Sequence, residues 1–185
     1  MTKKIFKFLV NFGPIIMFIF FYYFLEKNLL FALYPLIGAT LISNISNILY
    51  EKKIALIPLV GCVIICFFGG LSIYFNNPVF VYIRPTIIHS LIGFFLLLGN
   101  KFLKEIPIKK FLGNIIKMQI KGWKILNNRF VIFVFFMAFL NEVVWRTQTE
   151  EIWVNFKVWG GSLITLLFCL FQTRLINFYL IKKKY

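Results

Sequence analysis

The chain has 185 residues, 61% of them hydrophobic and 15% charged, with a formal net charge of +15 and a mean hydropathy of +0.85. A soluble domain carries about 45–50% apolar and about 25% charged residues. This composition therefore excludes that class, and its wealth of aromatic and aliphatic residues also excludes a disordered basic tail. A span takes about 20 apolar residues, so six of them would occupy most of the chain and leave loops but no separate soluble domain. The expected fold class is an all-α polytopic transmembrane bundle, a single integral membrane domain over 1–185. A pI of 9.9 on a soluble chain would suggest nucleic acid as a partner. Here the Lys and Arg residues flank apolar blocks, where the positive-inside rule accounts for them, and nucleic acid is not expected.

In chain order, the first apolar block runs over 5–25, too long for the core of a signal peptide and with no small-residue cleavage site behind it. It is read as a retained span, with Gly13-Pro14 at a kink. The second (29–50) follows Glu26-Lys27-Asn28, and the third (54–75) follows Glu51-Lys52-Lys53. A turn at Asn76-Asn77-Pro78 leads to the fourth (79–98). A basic stretch over 99–129 precedes a short fifth block (130–145), and the last runs over 152–181 before a lysine tail. Cys62, Cys66 and Cys169 all lie inside these blocks and are read as packing residues, with Cys62 and Cys66 on one helix face.

With six spans, 17 of the 21 basic residues fall on one side and four on the other, namely Lys27, Arg84, Arg146 and Lys157. This split places both termini in the cytoplasm. A five-span alternative, in which the first block does not cross, would put the N-terminus outside. Within the basic loop, apolar residues at 108, 111, 112, 115, 116, 120 and 123 share a broad helical face. Lys109, Lys110, Lys117, Lys121 and Lys124 gather on or beside the other face. Pro107 suits a first turn. The spacing predicts an interfacial helix over Ile108–Trp123 resting on anionic headgroups, each nearby cation contributing about 1 kcal/mol.

Polar residues inside spans are costly and face a bundle interior or a watery cavity. Ser43, Asn44, Ser46 and Asn47 form one such group, read either as a hydrophilic path or as interhelical hydrogen-bonding residues. Arg84 can snorkel, and His89 is read as a hydrogen-bonded packing residue. The densest group is Asn141, Glu142, Trp145 and Arg146, followed by Trp153, Asn155, Lys157 and Trp159 across an outward hairpin. The tryptophans suit an interface belt, and Glu142 and Arg146 pair at i,i+4. Anchoring does not explain the packing of acids, amides and a Lys between two spans. Asn141, Glu142, Trp145, Arg146, Trp153, Asn155 and Lys157 are accordingly the candidate partner-binding residues.

The chain has six acids, all Glu, and one His. Without Asp a Ser-His-Asp triad cannot be built, and a Ser-His-Glu variant would have the single His with no G-x-S-x-G elbow around any Ser. No P-loop, GxGxxG, HExxH or CxxCH occurs, and no catalytic, cofactor or metal residues are assigned. Gly69-Gly70 is read as permitting close helix approach.

Three stretches carry a family resemblance. They are Phe12-Gly13-Pro14 before an aromatic run, Gly69-Gly70-Leu71 through Tyr74-Phe75 and Phe80 to Arg84-Pro85-Thr86-Ile87, and Asn141-Glu142 through Trp145 to Trp153-Val154-Asn155-Phe156-Lys157-Val158-Trp159-Gly160. Together they resemble the intracellular septation protein A family, the bacterial inner-membrane group also called YciB or IspZ. The resemblance implies an inner-membrane protein tied to cell division and envelope integrity, acting through other membrane and division proteins. It implies about five spans, no enzymatic activity, no cofactor and no catalytic residues. Expected partners are membrane lipids and cell-division or envelope-synthesis membrane proteins, with homo-oligomerisation left open. Two functions stand side by side: a non-enzymatic scaffold for those partners, or a small transporter or lipid-handling protein lined by the second-block amides and the Asn141–Lys157 cluster. Comparing the two halves shows no internal repeat of the kind many transporters carry, which favours the scaffold.

Overall fold

A computed structural model describes residues 3–24, 27–51, 56–103 and 105–181. The loop cations Lys52, Lys53 and Lys104 and the tail lysines at 182–184, all used in the charge split, lie outside them. The helices are α1 (Lys3–Phe24), α2 (Leu29–Glu51), α3 (Leu56–Tyr74), α4 (Val79–Leu103), α5 (Pro107–Leu112), α6 (Ile120–Thr147), α7 (Glu150–Asn155) and α8 (Gly161–Tyr179). A wider turn, Phe156–Gly160, joins α7 to α8. The only β pairing among the described residues is an isolated bridge between Met118 and Leu180. Four helical stretches are long and apolar enough to cross a membrane: Leu29–Tyr50, Val79–Gly99, Ile120–Thr147 and Glu150–Tyr179. Phe12–Phe24 and Pro58–Tyr74 are shorter apolar helices. Leu, Ile and Phe side chains dominate the outward surfaces of the helices, as a bundle solvated by lipid requires. The fold is a polytopic helical membrane bundle.

Two tight turns follow from asparagine chemistry. Asn76 ends α3 with φ of 49°, a left-handed conformation that Asn tolerates better than most residues. The Asn77 amide then donates to Ser72 O at 2.9 Å, closing the six-to-one bond of a helix C-cap, and Pro78 follows as a stop. Before α2, Asn28 Oδ1 accepts from the Phe31 amide at 3.3 Å, capping orphan donors of that helix.

The chain divides into two compact units, Met1–Arg84 and Pro85–Tyr185. In the first, α2 packs against both α1 and α3. Tyr22, Leu29, Ala32 and Leu33 are buried where α1 meets α2. A Cβ at Gly69 would lie 2.9 Å from Ile37 Cδ1, so Gly69 allows α3 to approach α2. Gly70 has open space, and the pair does not act as one motif. Cys62 and Cys66 share a face with their sulfurs 4.0 Å apart, both free thiols.

In the second unit α6 is the central element. Thr86 meets Asn141, Phe94 meets Phe135 and the Leu96 carbonyl meets Asn127, so the outgoing part of α4 runs antiparallel to α6. On the other side Phe133 stacks on Phe168 at 3.9 Å, Arg129 bonds Gln172, and Gly122 lies against Tyr179, so α8 is antiparallel to α6 as well. A Cβ at Gly93 would stand 2.8 Å from the Phe135 ring. Glycine there lets a large ring fill the α4–α6 gap.

The loop differs from its sequence reading. The single helix expected over Ile108–Trp123 is two helices with a non-helical piece between them, because α5 ends at Leu112 and α6 begins at Ile120, well before the apolar edge at Phe130. The cause is burial inside the protein. Ile106, Ile108, Met118, Trp123 and Leu126 join Leu96, Val131 and Leu175 in one core, which a straight helix lying on lipid could not reach. The backbone of the intervening piece is satisfied by the end of α8: Gln119 N donates to Tyr179 O and Ile181 N to Lys117 O, each at 3.0 Å. Pro107 does occupy the first turn of a helix, as its fixed φ suits.

Candidate functional site at the hairpin between α6 and α7

Three helices bring polar side chains together at the end of the second unit remote from the loop. Asn141, fully buried on α6, donates through Nδ2 to Thr86 Oγ1 at 2.8 Å and accepts through Oδ1 from Trp153 Nε1 at 3.2 Å. An indole N–H can only donate, so the carboxamide orientation is set by Trp153. Thr86 Oγ1 in turn donates a hydrogen bond to Glu142 Oε1 at 2.7 Å, and Arg146 Nε donates to Glu142 Oε2 at 2.7 Å. The i,i+4 pairing read from the sequence is therefore present. With each carboxylate oxygen accepting one of these bonds, Glu142 links α6 to α4 and pairs with Arg146 one turn on. The Arg146 guanidinium carbon also lies 4.3 Å from the centre of the Trp145 ring, a cation–π geometry.

The hairpin itself is a helix start. Thr149 Oγ1 accepts from the Ile152 amide at 3.4 Å, and Glu150 and Glu151 occupy the first turn of α7, where negative charge meets the positive end of the helix dipole. Beyond Asn155 the chain widens by one residue per turn, with the Gly161 amide donating to Phe156 O. Such π turns inside helices often mark functional positions. Gly160 makes this one feasible, since a Cβ there would sit 2.8 Å from the Phe156 ring. Ser162 Oγ donates to Val158 O at 3.2 Å, satisfying a carbonyl within the disturbed stretch. Lys157 projects from the π turn with Nζ 5.5 Å from the Phe156 ring centre and 5.9 Å from that of Trp153.

All seven predicted residues thus fall in one region, in different roles. Asn141 and Trp153 are buried and tie elements together, Glu142 and Arg146 bridge outward, and Trp145, Asn155 and Lys157 are half-buried. The residue that sequence reasoning did not select is Thr86, the link between α4 and α6. It stands inside the Arg84-Pro85-Thr86-Ile87 stretch of the family resemblance. The π turn was also missed.

The other candidates are spread elsewhere. His89 Nδ1 donates to the Pro85 carbonyl at 2.6 Å. Thr40, Ser43, Asn44 and Asn47 line a 190 Å³ cavity in the first unit, together with Pro14, Pro58 and Cys62. Lys110, Lys117, Lys121 and Lys124 are exposed and Lys109, half-buried, meets Glu105 at 3.4 Å. Phe111, Ile115 and Ile120 are exposed beside these lysines. No group of three or more His, Cys, Asp or Glu side chains converges among the described residues.

The profile of the family described as intracellular septation protein A matches residues 6–183. An inner membrane-spanning protein YciB from Nitrobacter hamburgensis is 33% identical, over 97% of this chain and 90% of its own length. That of Brucella melitensis biotype 1 is 30% identical over 92% of each chain. The alignment with the Brucella anthropi protein of the same name, 34% identical, covers 76% of this chain and 63% of that one. No solved structure matches. A profile match over nearly the whole length, joined to a buried cluster drawn from two of the stretches that carried the resemblance, settles the assignment: the chain belongs to the intracellular septation protein A family.

Proposed function

We propose that this protein is a non-enzymatic scaffold of the bacterial inner membrane, serving septation and envelope maintenance by binding other membrane and division proteins. The observation that carries the reading is the Thr86–Asn141–Glu142–Trp153 network. It fixes α4, α6 and α7 at the hairpin end and so presents Asn155, Lys157 and the exposed Trp159 on a rigid support. Buried interhelical polar groups are costly unless bonded, and here their bonds build a platform. In this reading both termini and the lysine-rich loop lie in the cytoplasm, six segments cross the bilayer, and Lys109, Lys110, Lys117, Lys121 and Lys124 rest against anionic headgroups.

A second reading, transport or lipid handling, is supported by the cavity beside Thr40, Ser43, Asn44 and Asn47. Photocrosslinking in cells from position 159, compared with position 44, separates the two. The scaffold reading expects discrete protein adducts from position 159 that disappear with Lys157→Gln, and none from position 44. Lipid or solute adducts from position 44, with no protein captured at 159, would support the second reading and overturn the first.

A further inference from the structure

Lysine is the default cation of this chain, at 17 residues against four arginines. One of the four, Arg146, has a use already described. Two others, Arg129 on α6 and Arg174 on α8, line one cavity of 380 Å³ with Phe171, Leu175 and Phe178. Arg129 is held by one bond, Nη1 to Gln172 Oε1 at 3.2 Å, and the buried Gln172 is itself fixed by donating to Phe168 O at 3.0 Å. Most of the five guanidinium donors are left for a ligand. Neither arginine forms an ion pair among the described residues.

Arg129 also lines a second cavity, of 260 Å³, walled only by Ile132, Phe133, Phe136 and Phe168. The α6–α8 register orders the two. Arg174 and Phe178 lie toward the lysine-rich end of the unit, whereas Phe136 lies about 10 Å along α6 toward its middle. A charged mouth at the end of the bundle therefore continues into an aromatic groove at greater depth.

The geometry points to a phospholipid site: two guanidiniums take the phosphate of one anionic phospholipid of the leaflet at the lysine-rich end, and an acyl chain lies along Phe133, Phe136 and Phe168. Planar guanidinium forks match phosphate oxygens in a way that ammonium groups do not, which gives a reason for arginine at these two positions in a lysine-rich chain. This site stands apart from the hairpin and from the loop lysines, and the scaffold reading can fail without it.

Native mass spectrometry of the full-length protein, titrated with phosphatidylglycerol or phosphatidylcholine, tests it. One phosphatidylglycerol should bind at least about tenfold more tightly than phosphatidylcholine, and Arg129→Gln with Arg174→Gln should remove that preference. Lysine at both positions should restore it only in part. Ile132→Trp, which fills the groove and keeps both arginines, should weaken phosphatidylglycerol binding, and inorganic phosphate at millimolar concentration should not displace the lipid. Unchanged binding in the Arg129/Arg174 double variant would overturn the site. So would an equal loss on replacing Lys121 and Lys124 with Gln, which would indicate diffuse charge, or displacement by inorganic phosphate, which would indicate a free-anion site.

Discussion

Asn141 has no outward surface, yet its carboxamide joins three helices, so its value lies in what it leaves behind when removed. Asn141→Leu keeps approximate volume but strands the Trp153 indole N–H and takes away the donor to Thr86. Buried unpaired groups cost about 1–3 kcal/mol, and interhelical hydrogen bonds in membranes measure about 0.6 and up to about 1.7 kcal/mol. A loss of about 1–2 kcal/mol in a reversible detergent unfolding titration is expected. The tryptophans should separate in the same assay. Trp153→Phe loses the bond to Asn141 and should cost about 1 kcal/mol, whereas Trp159→Phe, at a 70% exposed position, should change stability by less than about 0.5 kcal/mol. Equal effects would mean that both indoles serve only as interface anchors. At this scale the sequence shows what spacing can show. Glu142 and Arg146 are four apart and pair as read, but Thr86, one of the partners of Asn141, is 55 positions away, and no local pattern singles out one threonine from the others.

Element boundaries were legible where side chains solve a local problem and obscure where burial decides. Asn76-Asn77-Pro78 reads as a turn and forms one, because Asn accepts the left-handed backbone and Pro cannot continue a helix. The apolar period over 108–123 reads as one helix, but only Ile108, Leu112, Ile116 and Trp123 pack in or against the core while Phe111, Ile115 and Ile120 stay exposed, and the chain opens to pair with the end of α8. Periodicity reports which residues are apolar and cannot say whether lipid or protein will cover them. Two outcomes follow. Met118→Cys with Leu180→Cys, in a background lacking the three native thiols, should form a disulfide on mild oxidation, since bridge partners lie within reach of one. Ile115→Cys with Leu180→Cys should not, because Ile115 is 81% exposed and the bridge to Leu180 is made by Met118. On the opposite face, Gly93→Ala should destabilise by about 1–3 kcal/mol through overpacking against Phe135. Phe135→Leu should suppress much of that loss, a coupling expected only for residues in contact.

At the scale of the whole molecule, composition alone marks a membrane bundle, and helix content and apolar outer surfaces agree with it. The separation of charge makes a further statement about sidedness. Single cysteines at Ile115, in the piece before α6, and Gln148, just after its end, should label from opposite sides of the inner membrane, Ile115 from the cytoplasm and Gln148 from the periplasm. Labelling of both from one side would remove the proposed orientation. Function is the part least visible in the sequence, since a binding surface of the kind proposed needs no reactive group and leaves no catalytic pattern. The central claim is that the hairpin end is a supported surface for partners, and Asn155 and Lys157 can be changed without touching the Asn141 carboxamide or the Glu142 carboxylate. The most direct measurement is whether the Asn155→Ala/Lys157→Gln variant complements the growth and division of a strain lacking its family member, with abundance and membrane insertion measured in parallel. Loss of complementation at wild-type abundance is the predicted result, and full complementation at that abundance would contradict the account.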